Sequence, residues 1–212
     1  MEKKSRGPYK GIKNNKEKTM AKLMQAVGHV LSTKGYTGLS ATNIAKEAKV
    51  DRKLISLYFG TVDELIERYI RSKDYWLTKT TPAKENILNN PESTKDILED
   101  LLLSQLDNFR TNLEMQKAVT WQISEKSNIM SEITRNREEI SKLFFAQADK
   151  ELEHTTVDIR AISSLLLSGI YYLVLHSNNT ESTVCEIELD DKGFQRIREA
   201  IRQILNWTYE KK

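Results

Sequence analysis

The sequence predicts an all-α protein with an N-terminal three-helix domain built around a helix-turn-helix and a larger C-terminal helical domain. The 212 residues include only 3 Pro and 8 Gly, too few for the regularly spaced turns that many strands require. Apolar residues recur at intervals of three and four along most of the chain, as on amphipathic helices. Charge is also divided: residues 1–60 hold 13 Lys and Arg against 4 Asp and Glu, net +9, and the remainder holds 20 against 26.

The first segments are an arm and a supporting helix. Residues 1–16 have little apolar surface, two Gly and a Pro, so they are predicted to form a flexible basic arm. Such an arm could follow a DNA minor groove, or it could be a solvated tail. A helix over 18–34 follows, ended by Gly35 as a C-cap. Its apolar stripe consists of Met20, Leu23, Met24, Val27, Val30 and Leu31.

Two short helices then follow in close succession. Ser40 can cap a helix over 41–48, and Asp51 can cap a second helix over 52–58 from which Ile55 returns to the core. Two short helices joined by three or four residues place the second helix in the DNA major groove, and the excess of cations suits a polyanion. The side chains expected to face outwards are Arg52, Lys53 and Ser56, with Tyr58 at the edge.

A further helix begins where Thr61 and Glu64 form a T-x-x-E capping box. This helix is expected to start at Val62, to pack on the first three helices and to continue through Leu77. The free N–H groups at its start could hold a DNA phosphate.

This region resembles the DNA-binding domain of the TetR (tetracycline-repressor-like) transcriptional regulators over residues 17–70. Two positions depart from the family pattern: Ser56 stands where a Tyr is usual, and Val62 where a Lys is usual. The matching residues are Gly35-Tyr36, Leu39-Ser40, Ile44-Ala45, Ala48, Val50, Tyr58-Phe59-Gly60-Thr61 and Glu64-Leu65.

The resemblance implies a repressor that releases its operator when a small molecule binds the C-terminal domain. The expected compartment is the cytoplasm, and a homodimer would read a palindromic operator in double-stranded DNA. Arg52 and Lys53 are expected nearer to bases, and Tyr58 and Thr61 nearer to phosphates. The full set of candidate DNA-binding residues is Ser40, Thr42, Arg52, Lys53, Ser56, Tyr58 and Thr61.

Residues 71–212 form the predicted ligand-binding and dimerisation domain. Its helices are expected at about 94–111, 113–125, 128–152, 157–177 and 194–209. Candidate ligand-binding residues are Trp76, Phe109, Trp121, Met130 and Phe144. Plain core packing is the alternative for each of them, because aromatic residues at helical spacing are usually core.

The last two helices carry more apolar surface than one subunit is expected to hide. Residues 157–177 are apolar on more than one face, so pairing with a symmetry mate around a two-fold axis is predicted. The alternative is that both helices fill the subunit's own core. Candidate interface residues are Leu166, Gly169, Ile170, Leu173, Ile197, Ile201 and Ile204.

Several other classes of protein find little support in the sequence. A single cysteine, Cys185, excludes an internal disulfide and a multi-cysteine zinc cluster, and no signal peptide precedes the first domain. The apolar run 165–175 is shorter than the roughly 20 residues of a membrane span. His154 and His176 lie in no metalloprotease motif, so we expect no enzyme, no metal and no cofactor.

Two rival functions stay open on the sequence. One is a helical ligand-binding or protein-interaction dimer that has lost sequence-specific DNA binding, a possibility raised by Ser56 and Val62 and opposed by the basic N-terminal end. The other is an all-helical enzyme, which lacks a recognisable acid, base or nucleophile set.

Overall fold

The structure is a computed structural model that describes residues 10–73 and 93–210, and the chain divides into two compact units, Met1–Lys73 and Asp74–Lys212. The described residues form nine α-helices, one short 3-10 helix and no β-strand, which confirms the all-α prediction. The first unit contains α1 (Lys10–Lys34), α2 (Ala41–Ala48), α3 (Lys53–Phe59) and α4 (Val62–Lys73). The second contains α5 (Thr94–Thr111), α6 (Leu113–Ser124), α7 (Asn128–Glu151), α8 (Ile159–Asn179) and α9 (Asp191–Tyr209).

The first unit is built on α1, which packs against α2, α3 and α4. Gly35 ends α1 in the left-handed region, with φ +67°, and its N–H donates to the Leu31 carbonyl at 3.0 Å. This is the predicted C-cap, and it turns the chain back toward α2. The core of this unit includes Leu23, Val27, Leu31, Ile44, Ile55, Leu65, Ile66 and Ile70.

One sequence prediction is wrong in this unit. The predicted flexible arm extends to residue 16, but α1 already begins at Lys10, so residues 10–16 are helical. A helix that is anchored further along can add turns at little cost, because each further residue gains a hydrogen bond without a new nucleation cost. Residues 1–9 lie outside the described residues, as does the predicted continuation of α4 through Leu77.

The second unit is organised around α5, which packs against α6, α7, α8 and α9. Phe109, on α5, is fully buried, and its ring centroid lies 4.8 Å from that of Tyr171 on α8. Leu102 and Leu106 are equally buried, and Phe194 and Leu205 from α9 join the same core. The apolar face of α5 therefore accounts for most of the packing within this unit.

Ion pairs add to the contact between α5 and α9. Arg110 donates to Asp191 at 2.6 Å, and its guanidinium lies 4.2 Å from the ring centroid of Phe194. Arg202 donates to Glu99 at 3.0 Å, and Arg198 pairs with Asp107. Such pairs at a solvent-exposed edge each contribute little, at most about 1 kcal/mol. The buried apolar residues supply most of the stabilisation.

Tyr209, at the end of α9, is tied to α5 and α7 by a polar cluster. Its hydroxyl lies 2.9 Å from Thr94 Oγ1, which donates to Glu151 at 2.8 Å. Burial raises the pKa of Tyr209 above its usual value of 10.0, the charge of Glu151 raises it further, and the hydrogen bond with Thr94 lowers it. The net result is a raised pKa in the folded protein.

This pKa predicts a loss of stability at alkaline pH. The folded protein holds the Tyr209 proton more tightly than the unfolded chain does. The protonated tyrosine therefore makes its full contribution to the free energy of unfolding below about pH 10, and this contribution is lost as pH rises through the raised pKa. Tyr209→Phe should therefore lose less stability than the wild type as pH rises above about 10. Urea unfolding across this range measures the difference, and parallel curves for the two proteins would contradict the prediction.

Candidate functional site

Helix α3, the second helix of the helix-turn-helix, is short, and the residues that flank it fix both of its ends. Asp51 accepts a hydrogen bond from the Lys53 N–H at 2.7 Å, as predicted for a cap, and Gly60 ends the helix with φ +86°. Ile55 is 1% exposed and is the one fully buried residue of this helix. A seven-residue helix is unstable alone, so the Ile55 contact and the two ends determine its position.

Opposite Ile55, α3 presents a polar and basic face. Arg52, Lys53 and Ser56 are exposed, as predicted, and Tyr58 is half-buried at the edge. Leu57 is also exposed, at 70%, and is not among the side chains predicted to face outwards. The signal was available: Leu57 lies two residues after Ile55, about 200° around the helix and away from the core.

The N-terminus of α2 carries two of the other candidates. The half-buried Ser40 accepts from the Asn43 N–H at 3.2 Å, which confirms its capping role. Asn43 in turn donates to the Gly38 carbonyl at 2.8 Å, fixing the preceding turn. Thr42 is exposed in the first turn of α2. The hydroxyl groups of Ser40 and Thr42 can each still donate a hydrogen bond to an anion.

The N-terminus of α4 carries the predicted capping box. The Thr61 N–H donates to Glu64 Oε2 at 2.8 Å, and the Glu64 N–H donates to Thr61 Oγ1 at 3.1 Å. The Glu64 carboxylate lies against Gly60, where a side chain would collide with it. Thr61 is exposed, and its hydroxyl proton is free of the cap. The Thr61 hydroxyl is therefore a hydrogen-bond donor placed directly after α3.

Basic side chains accompany this surface. Lys16 Nζ, on α1, lies 5.6 Å from the centroid of the Tyr58 ring, within the range of a cation–π contact. Lys49 occupies the turn between α2 and α3 in the left-handed conformation, with φ 54°, and is exposed. The edge of α3 and the turn before it thus each add a positive charge beside Arg52 and Lys53.

The second unit places the predicted interface residues in three environments. Ile170 and Ile201 are 1% and 3% exposed within their own unit, so the prediction is wrong for these two: they pack in the core around α5. Leu166, Leu173 and Ile197 are half-buried against that core. The remaining two candidates, Gly169 and Ile204, are half-exposed. An apolar helix has several sides that could be buried, and α5 covers only one.

The sides of α8 and α9 that α5 leaves open carry large apolar residues. Leu165 and Tyr172 on α8 are 74% and 58% exposed, and Trp207 on α9 is 63% exposed. Leu165, Gly169 and Tyr172 follow one another at four and three residues, so they share one face, and the space beside the Gly169 Cα is open. Sequence periodicity missed Leu165 and Tyr172 because the whole helix is apolar.

By length and composition alone, α8 is also apolar enough to cross a membrane. The same properties belong to a core or pairing helix of a water-exposed protein. Here Ile170 and Val174 enter the core, and the Tyr171 hydroxyl accepts from Gln105 at 3.2 Å. One side of α8 is therefore committed to packing against its own unit.

The predicted ligand-binding residues do not gather around one cavity. Phe109 and Phe144 are buried in the core cluster. Met130 is buried at 4% exposure and lines an open depression of about 520 Å³ where α6 meets α7, together with residues 122–127. Trp121 is buried just before that depression, and Trp76 lies outside the described residues.

A buried polar group lies close to Phe109. Gln105 is 0% exposed on α5, and its amide nitrogen donates to Tyr171. Its Oε1 atom is buried without a hydrogen-bond partner among the described residues. Within 10–73 and 93–210, no group of three or more His, Cys, Asp and Glu side chains could hold a metal ion.

Comparison with known proteins begins with the first unit. Residues 23–69 match the model of a family described as bacterial regulatory proteins, tetR family. The matched residues run from α1 into α4 and contain both helices of the helix-turn-helix. No curated protein matches the chain by sequence.

Solved structures with the same fold extend the likeness to most of the chain. FadR from Bacillus subtilis in complex with stearoyl-CoA has a TM-score of 0.60 at 15% identity, over 87% of this chain and 96% of that one. FadR from Bacillus halodurans has a TM-score of 0.58 at 15% identity, over 95% of this chain and 96% of that one. A mutant of HlyIIR has a TM-score of 0.52 at 18% identity, over 92% of this chain and 97% of that one. Residues 23–69 thus carry a helix-turn-helix domain of the tetR type, and most of the chain shares the fold of these solved regulators.

Proposed function

We propose that this transcriptional regulator is a homodimeric repressor that binds a palindromic operator and releases it when a small molecule binds the second unit. The observation that carries the proposal is the exposed face of α3, on which Arg52, Lys53 and Ser56 all point away from the core. Neither cation belongs to the buried core of residues 15–73, and both can donate hydrogen bonds to the acceptors that line a major groove.

The candidate DNA-binding side chains fall into two groups, those that can reach base edges and those that can reach phosphates. Arg52 and Lys53 stand at the N-terminal end of α3, the part of a recognition helix that contacts base edges, and both can donate to guanine O6 and N7. The hydroxyls of Ser40 and Thr42, at the start of α2, and of Tyr58 and Thr61, at the C-terminal end of α3, are proposed to donate to phosphate oxygens. Ser56, with its short side chain, is proposed to contact whichever base lies beneath it.

Dimerisation is proposed through the apolar faces of α8 and α9. The three large exposed residues Leu165, Tyr172 and Trp207, with Gly169 and Ile204, form surface that a single subunit leaves in water. An isologous pairing buries the same surface on both subunits. It also presents two recognition helices, which can read a palindrome whose half-sites lie roughly 34–36 Å apart.

The effector is proposed to bind in the second unit, against Phe109 and the nearby Gln105. The Gln105 Oε1 atom is a buried acceptor without a protein partner among the described residues, so a bound molecule with a hydroxyl or N–H group would satisfy it. The stearoyl-CoA bound by FadR makes long-chain acyl-CoA thioesters the first class to test. The effector must prefer the conformer that does not bind DNA, with a coupling of about 1–3 kcal/mol.

The decisive experiment is selection of binding sites from a random duplex pool at two salt concentrations. We expect the purified protein to enrich one palindrome and to lose affinity steeply with salt, because cations contact the phosphates. Adding stearoyl-CoA to the complex with the enriched duplex then tests release, with free stearate and CoA as controls. Failure to enrich any sequence at low salt would favour the alternative, a helical dimer without operator binding.

Arg52→Ala is expected to weaken binding to the selected palindrome by about 1–3 kcal/mol per half-site, because it removes hydrogen bonds to a base. Binding to a scrambled duplex should weaken much less. Titration of both duplexes at one salt concentration measures the two changes, with Lys142→Ala on α7 as the charge-matched control. Equal losses on the two duplexes would place Arg52 on the phosphate backbone instead.

A further inference from the structure

Leu57 is the feature of the recognition helix that the proposed function leaves unexplained. It is 70% exposed, the only large hydrophobic side chain among residues 15–73 to stand so far out of the core. Exposing a leucine forgoes about 1.5–3 kcal/mol that its burial would contribute. The neighbouring Ile55, two residues earlier, is 1% exposed, so the helix is not simply loose on its support.

The position of Leu57 places it among the proposed base-reading groups. Lys53 lies four residues earlier, one helical turn away on the same face, and Ser56 is adjacent. All three are exposed, and the helix ends three residues later at Gly60. Any surface that meets Lys53 and Ser56 therefore also meets Leu57.

The chemistry of leucine restricts what it can recognise in DNA. Its side chain has neither donor nor acceptor, so it can contact neither a phosphate nor the hydrogen-bonding edge of a base favourably. In the major groove, the apolar group available to it is the C5-methyl of thymine, which the other three bases lack. A protein partner on this face would have to cover Arg52 and Lys53 as well, and that pair of cations favours a polyanion.

We propose that Leu57 is a specificity-determining residue that selects thymine by packing on its 5-methyl group. This inference rests on the proposed operator binding. Burying one methyl group contributes a factor of about four in affinity, so a palindrome with one such contact in each half-site gains about 15-fold. The contact adds selectivity for A·T pairs to the guanine-directed hydrogen bonds of the adjacent cations.

The test is a uracil scan of the palindrome obtained from the random pool. Each thymine is replaced in turn, in both half-sites, by deoxyuridine, which lacks only the methyl group. We expect one position at which the wild type loses about 15-fold in affinity. For Leu57→Ala, uracil and thymine at that position should bind equally, while uracil elsewhere should affect the two proteins alike. The exposed position makes the variant as stable as the wild type, which thermal unfolding checks.

A second variant tests the role of Leu57 through the sequence that is selected and not through the affinity. Leu57→Gln offers a donor and an acceptor in place of the methyl contact, so a new selection should lose thymine at that position and keep the rest of the palindrome. A wild type that binds every uracil form equally, or a Leu57→Ala protein that keeps the full uracil penalty, would overturn this inference alone. A wild type that enriches no sequence would overturn it together with operator binding.

Discussion

Leu165→Glu is expected to convert the protein into a monomer and to remove nearly all of its specific affinity for the palindrome. The side chain is 74% exposed in the subunit, so the substitution removes little packing within the second unit. At a two-fold interface it would bury two carboxylates, one from each subunit, at a cost of several kcal/mol each. A monomer then binds each half-site alone and loses the joint contribution of the second.

Sedimentation equilibrium across micromolar concentrations measures the first effect, and titration of the palindrome measures the second. Ile123→Glu on α6 is the matched control, because it places the same charge at a leucine-sized residue with 69% exposure on another helix. The control should remain dimeric and bind DNA as the wild type does. A Leu165→Glu protein that sediments as a dimer would show that subunits pair through another surface.

Gly169 offers an independent check on the same face. A side chain there meets open space in the single subunit, and replacing a glycine inside a helix by alanine stabilises the helix by about 1 kcal/mol. If a symmetry mate approaches closely at this point, Gly169→Leu should weaken the dimer while making the second unit itself no less stable. Stronger dimerisation in this variant would place Gly169 away from the contact.

Ile55→Ala is expected to abolish operator binding while leaving the protein dimeric. Ile55 is the one buried residue of a seven-residue helix, and truncating a fully buried isoleucine to alanine costs about 2–5 kcal/mol. A unit of this size is stabilised by only about 4–10 kcal/mol in total. The recognition helix should therefore detach from α4, or the first unit should unfold. The core of the second unit contains only residues from 97 onwards and should be unaffected.

The experiment compares Ile55→Ala with Ile55→Val, which removes one methylene and costs about 0.5–1.5 kcal/mol. Urea unfolding of each variant reports stability, titration of the palindrome reports binding, and sedimentation reports the dimer. We expect binding to fall in the order wild type, Val, Ala. If the alanine variant bound the palindrome with wild-type affinity, the orientation of α3 would have to depend on its capped ends alone.

The amino-acid sequence alone determined the caps that begin α2 and α4 and end α1 in the first unit, but not the start of α1. Ser40, Gly35 and the Thr61–Glu64 pair all act as predicted, because a cap needs only side-chain and backbone groups within four residues of one another. The outward position of Lys53 was equally predictable, since it follows from helical periodicity once Ile55 is buried. Local chemistry thus fixed both the helix-turn-helix and its basic face.

Only the tertiary structure decided which sides of the apolar helices are buried. Ile170 and Ile201 turn toward α5, and Leu165, Tyr172 and Trp207 turn away from it, although all five are large and apolar. Periodicity cannot rank the sides of a helix that is apolar nearly all round, because the choice depends on where α5 lies in space. The same holds for Phe109 and Met130, which share a sequence pattern but occupy a closed core and the edge of a depression.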